Sequence, residues 1–150
     1  MQTTTDKMIA ALDAFNAGPN DERAVIDLYN ITDGFETLRD RARVVPSIFA
    51  VIERCARADL GSPGPLVHCI ELLGLDHYLS QLVESVSRKP TILNLCMANR
   101  ILNADIPVAL RQQLLDLLKS VAKNPAATRA EVDQAVGFLS HQAGRGLTYG

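Results

Sequence analysis

His68, Cys69, Glu71 and His77 are the residues of this chain whose types could hold a metal ion. Their spacing fits none of the zinc patterns, since neither His-x3-His nor Cys-x2-Cys occurs. His68 therefore reads as a partly buried helix residue, and no metal or cofactor is expected. Nucleophilic catalysis needs an activated Ser, Cys or Thr beside a base. The chain has no Gly-x-Ser-x-Gly elbow, and Cys96 lies in an apolar stretch where a thiol is inert. Glycines fall singly, so no phosphate-cradling loop is present. Asp21-Glu22 reads as a helix N-terminus favoured by the macrodipole, and Asp33 with Glu36 as a cap and its reciprocal partner. Arg39, Arg41 and Arg43 form a basic cluster, but Asp33, Glu36 and Asp40 interleave with it and weaken its field. No aromatic platform accompanies them, so nucleic acid is not expected as a partner. A catalytic role is not expected either.

The elements that carry these residues are helical. Of 150 residues, 47% are hydrophobic, dominated by Leu, Ala, Ile and Val, with no Trp. That mixture suits helix-on-helix packing in a single domain over 1–150. The spacing predicts a helix from Thr5 to Ala17, capped by Thr5 or Asp6, with Met8, Ile9, Leu12 and Phe15 inward. A second runs from Asn20 or Asp21 through Tyr29, with Val25, Ile26 and Leu28 inward. Thr32 or Asp33 starts a third. Pro46 opens a fourth that ends near Gly61, before the Ser62-Pro63-Gly64-Pro65 turn. Leu66 to Leu73 follows, closed by Gly74, and Asp76 caps the helix that carries Tyr78, Leu82 and Val86. Pro107 starts a long helix through Lys123, with Val108 among its inward residues. Thr128 and Glu131 form a capping box for the last helix, which ends at Gly144 and leaves a frayed tail at 145–150. No alternating pattern suggests a strand. The expected fold is all-α: an irregular stack of antiparallel helical hairpins, either a HEAT-like α-solenoid or a compact helical bundle.

Charge and cysteines restrict the setting. Net charge is -2, but residues 1–75 hold 11 acids and 7 bases, while 76–150 hold 6 acids and 8 bases. A partner with a basic face would prefer the first half. Three single cysteines argue against a disulfide framework and fit a reducing cytosol. No signal peptide and no membrane-length apolar run is apparent, so a cytoplasmic protein without a membrane partner is expected.

The segment from Arg88 to Asn103 is the most informative in the chain. It is apolar on nearly every side yet carries Asn94, Asn99, Arg100 and Asn103. A helix of this kind is expected at the centre of a fold, with its polar groups satisfied internally. Pro90 suits the first turn, and Thr91 and Asn94 can satisfy free N–H groups. Asn99 can bond loop backbone, Arg100 can pair with an acid, and Asn103 tolerates the left-handed conformation that ends helices.

The run Ser87-Arg88-Lys89-Pro90-Thr91, followed by Met97-Ala98-Asn99-Arg100-Ile101-Leu102-Asn103, resembles a motif of helical immunity proteins. These accompany bacterial polymorphic toxins, including those of contact-dependent inhibition systems. Gly64 to Glu71 and Tyr78 to Ser85 are similar to that family too, so the likeness covers about residues 63 to 103. Leu93, Asn94, Leu95 and Cys96 depart from the bulkier or aromatic residues that the family suggests there. The resemblance implies a non-catalytic protein that binds a cognate toxin C-terminal domain, possibly a nuclease, and occludes its active site. Acids would then steer a basic toxin. Asp27, Asp33, Glu36 and Asp40 are the expected contact residues, extended by Glu71, Asp76 and Glu84, with Tyr29 or Tyr78 as an aromatic anchor. A helical-repeat scaffold with a peptide ligand is the alternative, and a small metal-dependent enzyme using His68 and His77 a third reading.

Overall fold

The computed structural model describes residues 3–149, with side chains through residue 145. The fold is all-α. Eight α-helices and four short 3₁₀ turns account for the regular structure, with no strand among the described residues. Contacts cluster into two compact units, residues 1–81 and 82–150.

In the first unit, α1 is Thr5–Ala14, α2 Ala24–Ile31, α3 Val45–Arg54 and α4 Gly64–Leu73. Helix α1 packs on α3, and α2 on α4. The core holds Met8, Leu12, Ala24, Leu28, Phe35, Ile48, Ile52, Leu66 and Ile70. The cap of α1 is Thr4, not Thr5 or Asp6: its hydroxyl accepts from the Lys7 N–H at 3.2 Å. Thr5 lies inside the helix and is buried. The helix also stops three residues short of Ala17, because Arg54 donates to the Leu12 and Phe15 carbonyls at 3.0 and 2.7 Å and satisfies the free end.

Helix α2 turns Ala24 and Leu28 inward, which places Ile26 outside, contrary to expectation. Ala24 and Leu28 lie four residues apart on one face, so the residue between them points the other way. Thr32 ends this helix rather than starting the next, its buried hydroxyl donating to the Leu28 carbonyl at 2.8 Å. Two 3₁₀ turns, Phe35–Thr37 and Arg41–Val44, replace the expected third helix. Gly34, at φ +84°, makes the entry to the first. The cap-and-partner pair expected of Asp33 and Glu36 does not form; the Thr37 hydroxyl donates to the Gly34 carbonyl instead. Helix α3 ends at Arg54, earlier than expected, whereas α4 closes at Gly74 as its sequence predicts. Asp76 falls in a 3₁₀ turn, Leu75–His77, ahead of α5 (Leu79–Arg88) rather than capping it.

The second unit is built on α6 (Ile92–Leu102), α7 (Val108–Ser120) and α8 (Arg129–Tyr149), each packed on the other two. Met97, Ala98, Ile101 and Leu102 of α6 are buried, with Leu114, Leu117 and Leu118 of α7 and Ala135 of α8. One side of α6 is open, since Ile92 and Arg100 are exposed. The helix is therefore a wide buried face rather than a rod enclosed all round. Val108, expected inward, is 83% exposed in the first turn of α7. Thr128 and Glu131 meet side chain to side chain, and the Thr128 carbonyl accepts from the Val132 N–H at 3.1 Å. Helix α8 continues past Gly144 to Tyr149; Gly150, the last residue of the expected tail, lies outside the described residues.

The α6 motif and the acidic residues of the first unit

The α6 motif resolves into two polar assemblies within the second unit. At its start, Thr91 and Asn94 form a reciprocal box. The Asn94 N–H donates to Thr91 Oγ1 at 3.0 Å, and the Thr91 N–H donates to Asn94 Oδ1 at 2.8 Å. Asn94 Nδ2 uses both protons, on Ser85 Oγ at 3.1 Å and the Lys89 carbonyl at 3.0 Å. A fully buried amide thus spends all its hydrogen-bonding capacity on tying the end of α5 to the start of α6.

At the far end of α6, the organiser is Gln142 of α8, which is 1% exposed. Its Nε2 donates to Asn99 Oδ1 at 2.8 Å and to Asn103 Oδ1 at 2.9 Å. Its Oε1 accepts from Arg111 at 3.2 Å and Arg145 at 3.1 Å. Both guanidiniums also donate to the Leu102 carbonyl, at 3.1 and 2.8 Å, and so cap the free C-terminus of α6. Asn99 therefore bonds a side chain on α8 instead of loop backbone. Asn103 stays right-handed, at φ -76°, because its N–H continues the helix to the Asn99 carbonyl while its side chain takes bonds from α8. Pro90 is buried ahead of the helix and Arg100 is exposed on its open side. Sequence reading missed Gln142, Arg111 and Arg145. The available signal was three polar side chains at helix positions where a fourth element had to satisfy them.

The acids fare differently from one another. Asp40 is held inside the first unit. It accepts from the Thr5 hydroxyl and pairs at 2.9 Å with Arg43, which also pairs with Asp6 at 2.9 Å. This clasp joins α1 to the second 3₁₀ turn. The Thr5 hydroxyl and then the Arg43 guanidinium hold the Asp40 carboxyl below the ordinary value of 3.8. The folded state thus favours the ionised form more than the unfolded chain does. The stabilisation is fully present above that ordinary value and is lost as pH falls through the lowered folded one. Asp40→Asn should therefore flatten the acid side of the stability curve, which urea unfolding across acid pH will measure; an unchanged curve would remove the clasp from the account.

Asp27 is half-exposed and lies 3.7 Å from Arg23 across one turn of α2. Asp33, Glu36 and Asp76 are exposed, and their side chains make no hydrogen bond or ion pair with another described residue. Glu36 stands close enough to α4 to act on Cys69. Burial pushes that thiol up to about 11, the Thr32 hydroxyl opposing the rise and Glu36 adding to it. Glu71 is half-buried on α4, and Glu84 is exposed on α5 within the second unit. Tyr29 is 50% exposed on α2 and Tyr78 is buried. Asp21, Glu22 and Asp59 line a cleft of about 280 Å³ with Val25. His68 is exposed rather than partly buried, as are His77 and His141. Among the described residues no three His, Cys, Asp or Glu side chains lie together so as to hold a metal. No helix of the described residues is long and apolar enough to cross a membrane. No protein-family model, curated protein or solved structure matches the chain.

Proposed function

We propose that the chain is an immunity protein: a non-catalytic helical module, acting in the cytoplasm, that binds the C-terminal domain of a cognate bacterial toxin and occludes its active site. The resemblance at residues 63 to 103 suggests the class. The observation that carries the reading is the charge of the first unit. Residues 1–81 hold 12 acids against 7 bases, and residues 82–150 hold 5 against 8. The polar groups of the α6 motif are consumed internally, so that motif serves as scaffold. The exposed carboxylates of Asp33, Glu36 and Asp76 remain available for a partner.

A toxin that acts on nucleic acid carries a basic cleft, and acids on an inhibitor speed encounter with it. Replacing Asp33 and Glu36 by lysine should slow association with the toxin domain about tenfold at low salt and flatten the dependence of that rate on ionic strength. Stopped-flow mixing of the two purified proteins measures both. Association that is independent of salt and of both charges would remove electrostatic steering. Asp40 is the weaker choice for such a test, because its replacement also breaks the clasp with Thr5 and Arg43.

The adaptor reading has one observation of its own. Asn99 and, on α8, Asp133, Gln134, Gly137, Phe138 and His141 line a groove of about 370 Å³ in the second unit. A peptide ligand there would make the protein a scaffold with several weak partners rather than an inhibitor with one tight partner.

A further inference from the structure

Among the described residues of the first unit, the large apolar side chains left open to solvent are Ile26, Tyr29 and Leu72, at 52%, 50% and 57% exposure. All three fall on α2 and α4, which pack on each other. None falls on α1 or α3, whose large apolar residues are buried or half-buried. Each helix has already filled its inward face, with Leu28 on α2 and Leu66, Val67 and Ile70 on α4. The three outward residues therefore add nothing to the core.

Ile26 and Tyr29 lie three residues apart on one side of α2, and Asp33 follows Tyr29 by four with an unpaired carboxylate. Val25, next to Ile26, lines the cleft that holds Asp21, Glu22 and Asp59. Between residues 21 and 36 the chain carries five acids and one base. An exposed aromatic beside an aliphatic pair, rimmed by unpaired charge of one sign, has the make-up of an interface centre with its polar edge.

The charge selects the occupant. Duplex phosphates and an anionic lipid surface are both repelled by five acids. A second copy docked about a two-fold axis would set the same acids against each other. A basic protein surface is attracted, and Tyr29 offers it a ring and a hydroxyl. We infer that the outer face of α2 and α4, centred on Tyr29 with Ile26 and Leu72, is the docking surface for a partner protein that presents an apolar pocket edged by lysine and arginine. This rests on the chain being a binding module and names the surface it uses.

The test follows amide chemical shifts of the full chain during titration with a short amphipathic peptide. Its Leu/Trp face is flanked by arginine and lysine, and a control peptide carries glutamate at each cationic position. The inference expects shifts centred on α2 and α4, weakening as salt is added, and no binding of the control. Tyr29→Ala should weaken binding about thirtyfold, whereas Tyr29→Phe retains most of it. Tyr29 is half exposed, so both variants should keep the native helix signal, checked by circular dichroism. Shifts centred elsewhere, equal binding of the control, or unchanged affinity in Tyr29→Ala would overturn the inference. So would binding of anionic vesicles or duplex DNA through these residues, or a dimer of the free protein that Tyr29→Ala abolishes. A toxin complex that tolerates Tyr29→Ala with Leu72→Ala removes this surface and leaves the immunity reading standing. Peptide binding at α2 and α4 without toxin neutralisation does the reverse.

Discussion

Asn94→Ala should lower the free energy of unfolding by about 3 kcal/mol, the sum of a lost helix cap and buried groups left unsatisfied. The substitution removes the acceptor for the Thr91 N–H and the donor to Ser85 Oγ and the Lys89 carbonyl, at a site with no solvent access. Water cannot replace what is lost, which is why the effect exceeds that of an ordinary surface cap. Urea unfolding measures it directly. A double-mutant cycle with Thr91→Ala should return a coupling of about 1 kcal/mol, because the two side chains cap each other's backbone. A loss below about 1 kcal/mol for Asn94→Ala, the range of a solvated cap, would mean that the box is not the joint between α5 and α6.

Gln142→Leu should cost about as much, roughly 3 kcal/mol, since hydrogen bonds to charged groups are worth more than neutral ones. Leucine fits the volume but strands Arg111 and Arg145 on one side and the Asn99 and Asn103 amides on the other. Gln142→Glu should be milder. A carboxylate between two guanidiniums gains charge pairing, and each asparagine amide can turn to present its N–H protons in place of its oxygen. Thermal unfolding of the two variants ranks them. Equal losses would mean that volume alone matters there and that the polar network is incidental.

These two positions also show which parts of the structure the sequence discloses. The Thr91-Asn94 box is legible because capping is local: a residue and the one three places on decide it, and a proline just before them marks the start. Gly74 is legible for the same reason. The Gln142 assembly is not, because its partners lie 31 to 43 residues away. Asn99 and Asn103 announce that something must satisfy them, but not what. The outward turn of Ile26 is invisible in the run Val25-Ile26-Asp27-Leu28, where several helical registers bury two apolar residues each. Small Ala24, rather than Ile26, takes the place against α4. The 3₁₀ turns at 35–44 were expected as a helix because both periods place Phe35 and Leu38 on one side.

The candidate contact acids divide along the same line. Sequence gives the sign of each charge and its neighbours within a turn. It does not reveal that Asp40 is claimed by Thr5, 35 residues earlier, while Asp33 is claimed by nothing described. Exposed carboxylates without an internal partner are therefore the better choice for steering, and Tyr29 for anchoring, than the whole acidic set taken together.

The most direct test of the central claim is growth of bacteria that express the toxin domain encoded beside this chain, with and without the chain itself. The account predicts that growth returns when the two are co-expressed and that an equimolar complex of the pair is recovered from the rescued cells. Continued toxicity in cells that accumulate the folded protein, or rescue through turnover of a substrate with no complex formed, would contradict it.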